Sequence, residues 1–171
     1  MASGLTSIGA SVSAGLSALV AGIIILFFFP LPQGKVAQTV AGRAHVVDGD
    51  SLEIGSLRLR LYGLDAPELR QQCSGRDGRS IACGQEARKH LLALIEGREV
   101  VCTGLERDRY ERLLVTCRAG DRDLNDQMVA DGWAVSYGAY QSVEGRARRE
   151  RRGLWDGDFE EPASWRRRHA Q

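Results

Sequence analysis

The stretch SLEIGSLRLRLYGLDAPE, residues 51–68, contains two strand patterns followed by an acidic loop. In its second half, leucines at positions 57, 59 and 61 alternate with Arg58 and Arg60. Side chains of a β-strand alternate between its two faces, so the leucines are predicted to face a core and both arginines the opposite side. Gly55-Ser56 is typical of a short hairpin connection between strands over 51–54 and 57–62.

Further elements are predicted on both sides of this hairpin. Strand patterns occupy residues 43–48, 99–105, 113–118 and 133–137, and helical patterns occupy residues 84–96, 123–131 and 143–152. Residues 69–82 have the composition of a polar loop. This order predicts an α+β domain over residues 43–168, because five short strands, with a further one at 133–137, and about three helices suit a small closed barrel of the OB type. Residues 33–42 are interpreted as a linker.

An apolar run precedes the linker. Ala10–Phe29 contains no charged residue, and as a helix it is about 30 Å long, close to the thickness of a bilayer core. We predict that residues 1–32 form a single N-terminal transmembrane or signal-anchor helix, ended by Pro30 and Pro32. A cleaved signal peptide is the alternative, although no Lys or Arg precedes the run. A buried helix of a soluble protein is the third interpretation.

The charge balance excludes a strong net positive charge over the protein as a whole. The chain has 23 Lys+Arg and 22 Asp+Glu, and Lys35 is the only charged residue before Arg43. Nucleic-acid contacts therefore depend on locally placed arginines, which suit bidentate phosphate contacts. A GC-rich genome explains an excess of arginine over lysine equally well.

The four cysteines bear on whether the protein works in an oxidising or a reducing compartment. None forms a C-x-x-C pair, which argues against structural zinc. Cys73 and Cys83 bracket a polar loop, and Cys102 and Cys117 lie in neighbouring strand patterns, so both pairs are disulfide candidates. Buried free thiols are the alternative. With the anchor, the cysteines favour a membrane-anchored protein whose polar domain lies in the periplasm or cell exterior, or a secreted one if the N-terminal segment is cleaved.

Acidic and basic residues recur in three clusters, each of which alone is typical of a turn or loop. Together they supply what phosphodiester hydrolysis needs. Asp50 and Asp65, with a backbone carbonyl, are hard oxygen ligands suited to Ca²⁺. Glu68 can activate water, and Arg60 and Arg112 can neutralise charge on phosphoryl oxygens.

The clusters VVDGDS, RLYGLDAPE and DRYER, in this order, resemble the motifs of the staphylococcal nuclease (thermonuclease) family. GQEA, LNDQMVADGWA and GLW further along are similar as well, so the resemblance covers about residues 43–165. It implies an OB-fold barrel with three helices and Ca²⁺-dependent hydrolysis of DNA and RNA. It also implies cleavage of the P–O5′ bond, leaving products with a 3′-phosphate.

The resemblance also implies residue roles. The metal ligands it implies are Asp50, Asp65 and the backbone carbonyl of Ala66, with Asp48 behind them. The catalytic residues it implies are Arg60, Glu68 and Arg112. The substrate contacts are Tyr137 and Tyr140, to which we add Tyr110 of the DRYER loop. The partners expected are nucleic acid and, through the N-terminal helix, a membrane; no protein partner is inferred and a monomer is expected.

Four positions depart from the family pattern; Ser51 and Ala66 stand where Thr is often found, and the other two bear more directly on activity. Glu111 stands where the family has Gly, so we expect a strained turn and a carboxylate that can pair with Arg112. Gly138 replaces a tyrosine, which weakens nucleotide stacking. The alternative function is an inactive OB-type binding module. The joint presence of Asp50, Asp65 and Glu68 favours an enzyme, because a binder needs no such set.

Overall fold

The computed structural model of the chain describes residues 36–170, a mixed α+β domain. Its strands are β1 (Gln38–Gly42), β2 (Ala44–Val46), β3 (Ser51–Ile54), β4 (Leu57–Leu61), β5 (Leu64–Asp65), β6 (Cys73–Ser74), β7 (Ser80–Ile81), β8 (Val100–Arg107), β9 (Leu113–Ala119), β10 (Arg122–Asp123) and β11 (Val135–Ser136). Its helices are α1 (Cys83–Ile95), α2 (Leu124–Ala130), α3 (Gln141–Arg149) and α4 (Pro162–His169), with a 3-10 helix over Gly153–Asp156.

The main sheet has the strand order β1-β8-β9-β4-β3-β2, with β10 beside β9. The pairing of β4 with β9 is parallel, and the other pairings in this sheet are antiparallel. The edge strands β1 and β2 are consecutive in the chain and separated only by Arg43. Because one residue cannot span an open sheet, the sheet curls until its two edges lie side by side.

The alternation in β4 is confirmed. Leu59 and Leu61 are fully buried in the core, while Arg58 is exposed and Arg60 largely buried on the other face. Two fully buried leucines contribute about 2–3 kcal/mol each to the burial free energy of this strand. Their register therefore fixes which face of β4 presents Arg60.

Helix α1 closes one side of this core. Its buried face carries Ala87, Leu91, Leu94 and Ile95 at helical spacing, as predicted. The helix ends where Glu96 and then Gly97 adopt left-handed backbone conformations. At its other end, a Cβ atom added to Gly84 would lie 1.8 Å from the carbonyl oxygen of Glu68. Glycine at position 84 is thus required for the Glu68 loop to rest on the start of α1.

Both predicted disulfides are present. Cys73–Cys83 closes the loop between β5 and α1, with the two Cα atoms 5.7 Å apart. Cys102–Cys117 joins directly opposed residues of β8 and β9, with the Cα atoms 4.1 Å apart. Within residues 36–170 no cysteine is left free.

Three sequence predictions about elements need correction. Residues 33–42, interpreted as a linker, contain β1, which pairs along its whole length with β8. The loop predicted at 69–82 contains the short hairpin of β6 and β7, closed by the disulfide. About three helices were expected, whereas residues 36–170 contain four α-helices, and α4 is the additional one. In each case tertiary contacts stabilise a segment whose local sequence pattern is weak.

No helix within residues 36–170 has the length and apolarity required to cross a bilayer. The anchor predicted over residues 1–32 lies outside the described residues and stays a prediction.

Candidate active site

One cleft of about 890 Å³ brings together residues from several distant segments of the chain. The residues predicted for the site that line it are Asp48, Arg60, Asp65, Glu68, Tyr110, Arg112 and Tyr137. They come from the turn after β2, the β4–β5 region, the loop between β8 and β9, and the end of β11. The pairings of β4 with β3 and with β9 bring these segments side by side.

Arg60 links the two predicted metal ligands. Its Nη1 donates to Asp50 Oδ1 at 2.7 Å and its Nη2 donates to Asp65 Oδ1 at 2.7 Å. The side chain of Arg60 is 12% exposed and those of both aspartates are less exposed still. Burial alone lowers the pKa of Arg60, but the charges of Asp50 and Asp65 outweigh it and raise that pKa above its usual value. The guanidinium is therefore a permanent cation between two carboxylates.

Asp50 is held rigidly. Its Oδ2 accepts from the backbone N–H of Ala66 at 3.0 Å, and its Oδ1 accepts from Ser51 Oγ at 2.9 Å. Its own backbone N–H donates to Asp48 Oδ1 at 3.0 Å. Burial raises the pKa of Asp50 to about 7; Arg60 opposes this, and the charges of Asp48 and Asp65 add to it. The negative charge at this point is thus only partly compensated by the protein.

Without divalent cations, the stability of the domain should depend on pH through Asp50. Its folded pKa of about 7 lies above the usual value of 3.8, so the folded state binds the proton more tightly. The stabilising contribution is complete below about pH 4 and is lost as the pH rises to about 7. We expect the loss to be about 2–4 kcal/mol, a Tm decrease of roughly 5–10 °C. Thermal unfolding in a chelator from pH 4 to 8 measures it.

The matched controls isolate Asp50 from the other titrating groups. Asp50→Asn mimics the protonated carboxyl and should flatten the Tm profile in this window. Asp121→Asn, at an exposed turn, should reproduce the wild-type profile. An Asp50→Asn profile parallel to wild type would show that Asp50 is not the group responsible.

Glu68 lies half-buried in the loop after β5. Its backbone N–H donates to Gln71 Oε1 at 3.2 Å, and Gln71 is fully buried. Together with the contact of its carbonyl group against Gly84, this bond fixes the backbone of the loop. The carboxylate stays accessible from the cleft, as a group that exchanges protons with water must be.

Arg112 reaches the same cleft from the β8–β9 loop. Its Nε and Nη2 donate to Asp108 Oδ2 at 2.8 and 2.7 Å, and its Nη1 donates to Ser51 Oγ at 3.2 Å. Ser51 in turn donates to Asp50, so the guanidinium of Arg112 is connected through Ser51 to the carboxylate of Asp50. The carboxylate that pairs with Arg112 is that of Asp108, and the pairing with Glu111 expected from the sequence is not observed.

Glu111 has the left-handed backbone conformation expected from its place in the turn, with φ of 63°. Glu111→Gly should therefore stabilise the domain by about 0.5–1 kcal/mol, because an L-residue is strained there and glycine is not. We expect cleavage activity to rise by no more than a few-fold, since Arg112 is already free of Glu111. Denaturant unfolding and initial rates measure the two effects.

Glu99→Gly is the control for this substitution. Glu99 is exposed and is not among the residues with positive φ, so glycine should destabilise the domain at that position. Equal destabilisation by both substitutions would refute the strain at Glu111.

The three predicted substrate-contact tyrosines are placed differently. Tyr110 and Tyr137 line the cleft and are about half exposed, and the guanidinium groups of Arg109 and Arg112 lie over the Tyr110 ring. Tyr140 instead packs at the edge of the core, against Gly63. Burial raises the pKa of the Tyr140 hydroxyl. The structure therefore brings two of the three tyrosines to the cleft and leaves Tyr140 outside it.

Arg166 of α4 is a site residue that sequence reasoning missed. From the sequence, Arg166 to Arg168 are candidates for contact with anionic lipid and not for the site, yet the guanidinium of Arg166 contacts both Asp65 and Glu68 at 2.8–2.9 Å. The hydrogen bond with Asp65, partly offset by burial, raises the pKa of Arg166 above its usual value. Pro162 at the first turn of α4 signals a helix start, but nothing in the local pattern tells which of three consecutive arginines faces the cleft.

The donor set of the cleft fits a hard divalent cation. Asp65 lines the cleft and Asp50 lies buried beside it; both are hard oxygen donors, and the guanidinium of Arg60 joins them. Within residues 36–170 no three His, Cys, Asp or Glu side chains are grouped as a ready metal site. A cation bound here would thus take further oxygen ligands from the backbone, water or substrate.

Comparisons with known proteins agree with this geometry. The family profile described as "Staphylococcal nuclease homologue" matches residues 58–157. The "Succinoglycan biosynthesis protein ExoI" of Rhizobium meliloti is 36% identical over 126 residues, which are 70% of this chain and 66% of that protein. An "uncharacterized endonuclease" of Escherichia coli O157:H7 is 32% identical over 158 residues, covering 85% and 95%. A "Micrococcal nuclease" of Shigella flexneri is 32% identical over 179 residues, covering 92% and 95%.

Proposed function

The chain belongs to the family of staphylococcal nuclease homologues, and on that premise we propose that it is a Ca²⁺-dependent nuclease acting on DNA and RNA. The observation that carries the proposal is the cleft, which gathers Glu68, Arg60 and Arg112 beside the buried pair Asp50 and Asp65. A module that only binds nucleic acid has no use for buried carboxylates facing a polyanion.

The roles of the side chains follow from their chemistry. Glu68 accepts a proton from the attacking water, because it is an accessible carboxylate on a fixed loop. Arg60 and Arg112 donate hydrogen bonds to the phosphoryl oxygens as negative charge accumulates on them. Ca²⁺, held by Asp50, Asp65 and the Ala66 carbonyl with Asp48 behind them, supplies charge neutralisation at the same phosphate when bound.

The side chains that line the cleft also indicate the class of substrate. Tyr110 and Tyr137 offer exposed rings for bases to stack on, and such contacts do not discriminate between DNA and RNA. The leaving group in this proposal is the 5′-oxygen, so the fragments carry a 3′-phosphate. A monomer suffices, because every residue with a role comes from one chain.

We also infer that the main sheet closes as a barrel of the OB type. Counting β1 and β2 as one bent strand interrupted at Arg43, the main barrel has five principal strands, as in an OB fold. We propose further that the domain works outside the cytoplasm, on the membrane surface or secreted. The two disulfides support this location, because they persist in oxidising compartments.

Analysis of the product ends tests the proposed reaction. A single-stranded oligonucleotide that carries a fluorophore at its 5′ end is incubated with the full chain and Ca²⁺. Half of the products are then treated with phosphatase. We expect a ladder of fragments whose mobility changes with phosphatase, which reports a 3′-phosphate. Fragments that phosphatase does not change would contradict cleavage of the P–O5′ bond. Retention of the oligonucleotide without cleavage would favour the binding-module alternative.

A further inference from the structure

The guanidinium of Arg166 contacts both Asp65, a proposed metal ligand, and Glu68, the proposed base. Its Nη1 and Nη2 donate to Asp65 Oδ1 and Oδ2 at 2.9 and 2.8 Å, a bidentate pairing. The same Nη1 donates to Glu68 Oε1 at 2.8 Å. Arg60 also occupies Asp65 Oδ1, so both oxygens of this carboxylate accept hydrogen bonds from arginines.

The chain before α4 is anchored to the loop that carries Glu68. Ser74 and Asp158 exchange backbone hydrogen bonds of 2.8 Å in both directions. Gln71 Nε2 donates to the carbonyl of Glu160 at 2.6 Å, while Gln71 Oε1 accepts from the N–H of Glu68. One buried side chain thus bridges the Glu68 loop and the segment entering α4. The position of Arg166 follows from this scaffold and does not depend on a flexible tail.

The two ends of the Arg166–Asp65 pair differ in exposure. The side chain of Asp65 is 7% exposed, whereas that of Arg166 is 40% exposed. Arg166 can therefore rotate into the cleft or solvent, which would leave the buried Asp65 with Arg60 as its remaining positive partner in the site. A divalent cation at Asp65 would take the place of Arg166 and repel its guanidinium.

We propose that Arg166 is a tethered counter-ion that determines the divalent-cation affinity of the site. It occupies Asp65 and Glu68 before the cation binds, and the cation displaces it. This inference rests on the proposed function, because it takes Asp65 as a metal ligand. Displacement also frees Glu68 Oε1, so the accepting oxygen becomes available when the cation arrives.

Calorimetric titration of the full chain with CaCl₂ alone, in mild detergent on account of its apolar N-terminal run, tests the proposal without an activity readout. Arg166→Gln should bind Ca²⁺ about tenfold more tightly than wild type, because the bidentate, charge-assisted competitor is gone. Arg166→Lys keeps the charge and loses the fork, so its affinity should lie between the two. Arg167→Gln is the matched control on the same helix. Arg167 donates to Ser164 and does not line the cleft, and its loss should change affinity less than twofold.

The outcomes separate this proposal from the proposed function. Equal Ca²⁺ affinity in wild type and Arg166→Gln, or an equal gain in Arg167→Gln, would overturn the counter-ion role alone. Absence of Ca²⁺ binding in all four proteins would overturn it together with the Ca²⁺ site. If Arg166→Gln does not fold, the lysine variant decides, and an affinity equal to wild type would contradict direct competition.

Discussion

Glu68→Gln should lower the rate of single-stranded DNA cleavage by about a thousand-fold, the usual range for loss of a general base. The amide cannot accept the proton of the attacking water at neutral pH. Its carbonyl oxygen still accepts a hydrogen bond from Arg166, so the loop and α4 should keep their arrangement. We therefore expect the affinity for Ca²⁺ and for uncleaved DNA to change little. Initial rates at saturating substrate and calorimetric binding measure the two separately.

Glu86→Gln is the matched control for Glu68→Gln. Glu86 lies on α1, pairs with Lys89 at the surface and does not line the cleft. Its substitution should leave the rate unchanged. A Glu68→Gln enzyme within tenfold of wild type would remove Glu68 from the role of base.

Arg112→Lys should lower the cleavage rate by about 10²–10³-fold while the positive charge is retained. Lysine cannot make the parallel hydrogen bonds that a guanidinium makes to phosphoryl oxygens. It also lacks the planar set of donors that Arg112 directs at Asp108 and Ser51, so the cation would be held less firmly beside the cleft. The loss should fall on kcat more than on substrate affinity, because the extra charge develops only in the transition state.

Arg107→Lys tests whether the effect is specific to Arg112. Arg107 belongs to the same β8–β9 region and donates to the carbonyl of Glu111, but it does not line the cleft. We expect a change of less than about threefold for Arg107→Lys. Similar losses for both variants would indicate a general disturbance of the loop and would contradict a transition-state role for Arg112.

Much of the fold could be predicted from the sequence because its signals are local. The alternation of leucine and arginine in β4 and the spacing of apolar residues in α1 each follow from one period. Strand β1 and helix α4 have no such signal. The stretch QTVAG forms a strand because all five of its residues pair with β8, which lies about sixty residues further along the chain.

The residues of the site likewise fall into those that local motifs indicate and those that only long-range contacts place. Asp50, Asp65 and Glu68 lie in compact motifs within one turn and one strand end, so their proximity could be expected. The contact of Arg166 with Asp65 spans 101 residues and depends on how Gln71 and the Cys73–Cys83 hairpin hold the chain before α4. Tyr140 shows the converse. Its place in the sequence matches a substrate-contact position of the family, but its ring packs at the edge of the core. The direction in which the ring points depends on tertiary contacts that the local sequence does not reveal.

The most direct test of the central claim is cleavage of single-stranded DNA by the oxidised full chain, first in Ca²⁺ and then after excess chelator, with circular dichroism recorded on the same samples. We predict cleavage in Ca²⁺, its arrest by chelator and its recovery when Ca²⁺ is restored, while the spectrum stays that of the folded domain. Cleavage at the same rate in chelator would contradict the metal-dependent reaction. Intact DNA in Ca²⁺ beside a folded spectrum would contradict the assignment of the cleft as a phosphodiesterase site.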